Sequence, residues 1–376
     1  MKSIGQEKKV WTDLWDNRNL NAEISMWDYY GLRPYILKYT PRFGDVLEAG
    51  CGQGKFNFYL SHLGINTIGL DFSKETILFL KQWQKRNEFN LPFIEGDIKN
   101  MPFEDNSLSG YLSFGVMEHF IEGPKEAMDE MYRVMRPGGV AIITTPNNSW
   151  NVRRGNIKKG IKNIIKKIFR KEIVKPPFFQ YYYGPNKLKS LVEASGMKVT
   201  KSTGAAFLFT FTEFFGRKNS HKISRNIKYA KWSKKLDKSF IKALGAQSVT
   251  ISVKVDAIMH CFLCGDLSAK MESLNKYDVP ICNKCENLSN SKYYSKNGFV
   301  SFDGDFSFNP PKLSDEIRNC HNCSKEYNTD AIFEDFGFSI NVCKDCLKQP
   351  DINIKLSNAH VKPIWRDREN AEKLYE

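Results

Sequence analysis

Two sets of residues in this 376-residue chain have the types and spacing that do chemistry. The first is the run Val46-Leu47-Glu48-Ala49-Gly50-Cys51-Gly52-Gln53-Gly54. An apolar stub meets an acid and then three alternating glycines, which reads as strand, tight turn and helix. Glycine suits a backbone that bends sharply and approaches a ligand that a Cβ would repel. Further on, Asn66-Thr67-Ile68-Gly69-Leu70 reads as a second strand ending in Asp71, followed by Phe72. A carboxylate at that point can accept hydrogen bonds from both hydroxyls of a ribose. A dinucleotide loop is spaced G-x-G-x-x-G, whereas here the spacing is G-x-G-x-G with Glu48 beside it. That carboxylate would repel a pyrophosphate and suits a ligand bearing a cationic amino group. The expected ligand is a nucleoside-type cofactor.

The second set is the cysteines. Eight of the nine fall in C-x2-C pairs. Cys261 and Cys264 precede Cys282 and Cys285 by 17 intervening residues, and Cys320 and Cys323 precede Cys343 and Cys346 by 19. Both quartets fit the four-thiolate spacing of a zinc ribbon. Four thiolates leave no open position on the metal, so both sites read as structural. Knuckle turns such as Cys-Phe-Leu-Cys-Gly supply amides for the thiolates. Spacing alone leaves the pairing open between sequential and interleaved. The N-terminus lacks an apolar signal core, which favours reduced thiols over disulfides.

The elements that must position the first set follow in order. Phe93-Ile94-Glu95-Gly96-Asp97-Ile98 reads as a third strand ending in an acid. Tyr111 to Phe120, containing Phe114 and Glu118-His119, reads as a fourth strand with a short exit loop. Tyr132-Arg133-Val134-Met135-Arg136-Pro137-Gly138-Gly139 leads into a fifth strand from Val140 to Thr145. In this ordered set the chain resembles the class I S-adenosylmethionine-dependent methyltransferases over roughly residues 40 to 200. It is most similar to the small-molecule branch that includes the ubiquinone-biosynthesis and type 11 enzymes.

The resemblance implies an α/β fold, a Rossmann-like doubly wound seven-stranded sheet, here with small zinc-ribbon domains added. It implies S-adenosyl-L-methionine contacts at Glu48, Gly50, Gly52, Gln53, Gly54, Asp71, Phe72, Asp97, Ile98 and Phe114. Asp71 would hold the ribose, and Asp97 with Ile98 would sit at the adenine. It places Glu118-His119 near the sulfonium and the acceptor, where His119 is the candidate catalytic base; a structural histidine is the other reading. Tyr181, Tyr182 and Tyr183 would shape the acceptor pocket. The expected organisation is a methyltransferase domain over 1–259 with basic insertions at 150–180 and 205–245. A first ribbon at 260–290, a second at 315–350 and a tail at 351–376 complete it.

The net charge of +14 is unevenly spread. Residues 149–259 hold 25 Lys and Arg against 5 Asp and Glu, while both flanking regions are slightly acidic. Such clustering implies an acidic partner surface. From Arg153 to Lys175, Ile157, Ile161, Ile164, Ile165, Ile168 and Phe169 recur at helical spacing among lysines. Three readings stand: an amphipathic helix at a membrane headgroup layer, a helix along nucleic acid phosphates, or an ordinary helix packed by its isoleucines. Isoleucine serves lipid or core better than RNA, so nucleic acid is the less favoured partner. A second aromatic stretch, Phe207 to Phe211, reads as a buried strand.

Base exocyclic methylation is disfavoured, because Gly115-Val116-Met117-Glu118 replaces the Asn or Asp followed by Pro-Pro. Pyrimidine C5 methylation is disfavoured too, since the one unpaired cysteine, Cys51, lies in the cofactor loop. The sequence therefore predicts a cytoplasmic O-methyltransferase for a small-molecule, lipid-linked or glycan-type acceptor. It would sit peripherally on a membrane through residues 153–175, with a protein partner on the ribbons. The alternatives are an RNA or protein methyltransferase that grips its substrate through the ribbons, and a non-catalytic cofactor-binding module.

Overall fold

The computed structural model describes residues 31–207 and 244–287, with gaps at 42, 63–64, 87–89 and within 151–177. Six short strands between 292 and 341 complete the described set. Cys320, Cys323, Cys343 and Cys346 lie outside it, as do residues 208–243 and the 351–376 tail.

Seven strands form one sheet: β1 (Val46–Ala49), β2 (Thr67–Asp71), β3 (Phe93–Glu95), β4 (Leu108–Phe114), β5 (Met135–Pro146), β6 (Lys198–Ala205) and β7 (Gln247–Val253). Their spatial order is β3-β2-β1-β4-β5-β7-β6. The first five run parallel, and β7 is inserted antiparallel between β5 and β6. This is the doubly wound Rossmann-like sheet of the methyltransferase class.

Parallel strands covered on both faces read as continuous apolar runs, and β1 is buried at all four positions. Along β5, Val140 and Ile142 enter one core and Ala141 and Ile143 the other. The connecting helices are α1 (Arg33–Tyr39), α2 (Lys55–His62), α3 (Lys74–Arg86), α4 (Lys125–Val134) and α5 (Pro185–Glu193). Ser73 caps α3, its hydroxyl accepting from the Thr76 amide at 3.2 Å. On α4, Ala127, Met128, Met131 and Val134 lie at helical spacing and are buried.

Two strand ends differ from the sequence expectation. The third strand stops at Glu95, and Asp97 lies beyond it in a turn. There Asp97 Oδ1 accepts the Lys99 amide at 2.9 Å, a local bond that competes with the ladder. The fifth strand starts at Met135, because Leu108 pairs with Met135 ahead of a bulge. Lys254 then exchanges backbone bonds with Gly138 and Gly139 at 2.7 and 3.1 Å.

The first cysteine quartet packs into the sheet. It sits on β8 (Met259–His260), β9 (Leu267–Ala269), α6 (Met271–Tyr277) and α7 (Asn283–Asn287). Cys261, Phe262, Ile281 and Cys282 belong to the same buried cluster as Ile36 of α1 and Val249 of β7. Tyr39 Oη donates to Asp278 Oδ2 at 3.0 Å, and Lys201 on β6 reaches the same carboxylate at 3.6 Å. The hairpin crosses β5 at Gly138, whose φ is +82°. A Cβ there would stand 2.5 Å from the His260 carbonyl oxygen and 2.7 Å from its nitrogen. Gly138→Ala is therefore expected to destabilise the chain by about 2–4 kcal/mol in urea unfolding. A loss under about 0.5 kcal/mol would mean the hairpin is not held against β5.

Candidate active site and cysteine cluster

The glycine turn follows from the burial of β1. The strand ends against β2, and the chain must reverse at once into α2. Gly50, Gly52 and Gly54 all take positive φ, at +73°, +51° and +63°. Space is short as well: a Cβ on Gly50 would meet Val116 Cγ2 at 2.6 Å, and one on Gly54 would meet the Phe93 ring at 2.7 Å. Asp71 fixes this turn, its Oδ2 accepting from the Gly52 amide at 2.9 Å and its Oδ1 from the Ser73 amide at 3.0 Å. Burial raises the Asp71 pKa, while those amides pull the other way.

Glu48 stands at the centre of the same crevice and is almost fully buried. Burial drives its carboxyl well above the ordinary carboxylate range, with Lys55 opposing. Its Oε2 has no hydrogen-bond partner among the described residues. A buried acceptor left unpaired costs free energy until a donor arrives. With three left-handed glycines opening the backbone and Asp71 alongside, this acceptor set fits a nucleoside ligand bearing an ammonium. Phe114, at the end of β4, packs against Phe56 with ring centroids 4.5 Å apart. Of the other predicted contacts, Gln53 and Ile98 are buried and Asp97 is exposed. The loop after Ile98 is clamped from α4. Glu130 accepts the Met101 amide, and Arg133 donates to the Met101 and Phe103 carbonyls and to Asp105. Cys51 is buried, and desolvation raises its thiol well above the usual value, so it is no nucleophile.

Beyond β4, Met117–His119 make one 3-10 turn. His119 Nδ1 lies 2.8 Å from the Phe179 carbonyl oxygen. A carbonyl only accepts, so Nδ1 donates in that contact, and the Gly115 carbonyl also bonds the ring. The ring also packs edge-on to Phe179. Glu118 is 1% exposed, with Oε1 3.7 Å from His119 Nε2 and Oε2 unpaired among the described residues. That distance would suit an ion pair, but burial opposes it on both sides. It pushes the Glu118 carboxyl up to about 8 and lowers His119. We take the pair as neutral at pH 7, because desolvation is the first cause for each partner.

The Tyr181 amide bonds the Glu118 carbonyl at 2.9 Å, and its hydroxyl bonds the Ile121 carbonyl at 2.8 Å. Tyr183 stacks on Tyr181 with centroids 5.6 Å apart. Its pKa is raised by burial first, then by Tyr181 and Glu118. Glu118, which the sequence offered only as a neighbour of His119, thus becomes a buried member of the site. The signal was an acid in an otherwise apolar stretch after β4.

The four thiols of Cys261, Cys264, Cys282 and Cys285 all lie within 4.8 Å of one another. Cys264 Sγ is 3.7 Å from Cys282 Sγ, far longer than a disulfide. A tetrahedron with metal–sulfur bonds of about 2.3 Å has edges of about 3.8 Å. The Cys282 and Cys285 amides point at the Cys261 and Cys282 sulfurs at 3.4 and 3.5 Å. The pairing is sequential, first C-x2-C with second. His260 is not a ligand; its Nδ1 contacts the Gly265 carbonyl at 2.9 Å.

Residues 47–143 match the family model described as "Methyltransferase domain". The malonyl-[acyl-carrier protein] O-methyltransferase of Pectobacterium atrosepticum is 33% identical over 101 residues, 27% of this chain and 38% of that protein. The demethylmenaquinone methyltransferase of Paenarthrobacter aurescens is 35% identical over 99 residues, 26% and 37% of the two chains. That of Staphylococcus haemolyticus is 28% identical over 201 residues, 49% and 83%. The chain thus spans less than two fifths of the length of the first two relatives. A solved S-adenosylmethionine-dependent methyltransferase from Methanosarcina mazei superposes with a TM-score of 0.42 at 17% identity, over 60% of this chain and 99% of that one.

Folding takes up a proton at Glu118 between its unfolded and folded pKa values, and this sets a pH dependence. Its folded pKa, about 8, lies above the unfolded value of 4.5. The cost of ionising it is absent below the unfolded value, grows between the two and is complete above the folded one. Glu118→Gln should therefore raise unfolding free energy by about 2–5 kcal/mol at pH near 9 and change it little near pH 4. Equal effects at both pH values would show that Glu118 is not desolvated. Sheet order, glycine turn and family match agree: residues 47–143, within a Rossmann-like sheet, are similar to the methyltransferase domain family.

Proposed function

We propose that the chain transfers a methyl group to a hydroxyl of a small-molecule, lipid-linked or glycan-type acceptor, with His119 as general base. The observation that carries this is the buried Glu118-His119 pair, beside Tyr181 and Tyr183. S-adenosylmethionine, when bound, supplies a methyl group already activated on a sulfonium. The unpaired Glu48 Oε2 is the acceptor for its ammonium, and Asp71 keeps the turn shaped around it. The Phe179 and Gly115 carbonyls orient the His119 ring, which as the general base would take the acceptor's proton. Burial keeps that ring deprotonated below the usual histidine range, so it is a competent base at neutral pH. The relatives act, by their names, on malonyl-[acyl-carrier protein] and demethylmenaquinone, which supports a carrier- or lipid-linked small molecule.

Cell extract given radiolabelled S-adenosylmethionine and then fractionated tests the acceptor class. Label is expected in the lipid or small polar fraction, and label confined to RNA or protein would refute it. His119→Ala should cut turnover about 10²–10³-fold while leaving cofactor Kd within about twofold. Asp71→Ala should instead raise cofactor Kd about tenfold or more, because the turn loses its anchor. Unchanged turnover in the first variant would remove His119 from the chemistry.

We assign zinc to Cys261, Cys264, Cys282 and Cys285, in a structural role. Metal analysis of the full chain against Cys282→Ser should show one zinc fewer, together with a clear fall in Tm. Equal zinc content in both proteins would overturn the assignment.

A further inference from the structure

The segment that leaves β5 carries an apolar stripe with no protein to cover it among the described residues. Helix is recorded at 152–155 and at residues 157, 160, 164 and 168. Ile157 and Ile164 are each 62% exposed, Ile168 71% and Phe169 70%. At 100° per residue, positions 157, 164 and 168 fall within about 20° of one line along the helix. A helix packed by these residues would bury them, and among the described residues nothing does. Lysines are interspersed with the stripe in the sequence, and residues 149–259 carry 25 Lys and Arg against 5 Asp and Glu.

The helix starts close after Pro146, at the carboxyl edge of the sheet, where β4 delivers Glu118 and His119. Around that mouth Trp150, Phe179, Tyr182 and Ile121 are also exposed. Exposed aromatic and aliphatic side chains in a lysine-rich stretch of sequence match the boundary between acyl chains and anionic headgroups. A phosphate backbone would use the lysines and leave the isoleucines in water.

We propose that Ile157, Ile164 and Ile168 form the face by which this chain docks on an anionic lipid bilayer, bringing the Glu118-His119 mouth to the membrane surface. The docking does not depend on the methyl-transfer reading.

The test is sedimentation of the full chain with vesicles of phosphatidylcholine alone or with phosphatidylglycerol added. Binding is expected on the anionic vesicles and to be at least about tenfold weaker on the neutral ones. The combined variant Ile157→Asp, Ile164→Asp, Ile168→Asp should lose anionic-vesicle binding by about tenfold or more, with Tm and cofactor Kd unchanged. A Tm fall of more than about 5 °C in that variant would show that the stripe packs on protein and overturn the proposal. So would retained vesicle binding, or polyuridylate binding by the wild-type chain without vesicle binding. Label transfer to a soluble acceptor is read in the same samples. Methylation that persists while docking fails sinks this inference alone, and docking without any methylation sinks the proposed activity alone.

Discussion

The bond from the Gly52 amide to Asp71 Oδ2 joins the ends of two neighbouring parallel strands across the crevice. It exists because β1 is buried on every side and cannot simply continue, so its exit must be a reversal that only glycines accommodate. The same carboxylate takes the Ser73 amide, next to the hydroxyl that caps α3. One buried acid thereby sets the shape of the turn and the start of the following helix. Removing it would leave several amides searching for an acceptor in a place water hardly enters, which is dearer than the loss of an exposed bond. The binding crevice is consequently rigid on this side before any ligand arrives.

The opposite side is built differently. Glu118 and His119 lie on a single 3-10 turn, and their surroundings come from the chain after β5, through Phe179, Tyr181 and Tyr183. Burial raises the Glu118 pKa and lowers that of His119, so desolvation works against charge on both. Glu48, buried with an unpaired oxygen among the described residues, follows the same logic. The domain concentrates uncompensated polar atoms where a ligand can satisfy them, and spends ordinary apolar packing elsewhere.

Much of this was legible in the sequence. The glycine run, Asp71 and the ordered strands announced the sheet, because turn chemistry and apolar runs are local signals. The cysteine spacing announced the cluster and its knuckle amides, though not whether pairing was sequential. Long-range contacts were not legible. The early start of β5 depends on Lys254, more than a hundred residues away, and on a hairpin laid across Gly138. Asp97 looked like a strand end because an acid after apolar residues often is one, but its side chain bonded its own loop. Nor could periodicity tell whether the stripe through Ile157, Ile164 and Ile168 faced core or solvent, since both give the same pattern.

The contact between Tyr39 and Asp278 spans 239 positions of the chain. It ties the first described helix to the cysteine cluster, with Ile36, Val46 and Ile251 in the core between them. A nascent chain emerging from the ribosome can pair β1, β2 and β4 early, yet it cannot cover that face of the sheet until residue 285 or so has been made. Closing such a distant contact is slow, and the waiting apolar face is a natural client for chaperones. The four-thiol cluster, completed only at Cys285, is thus among the last parts of that face to be made.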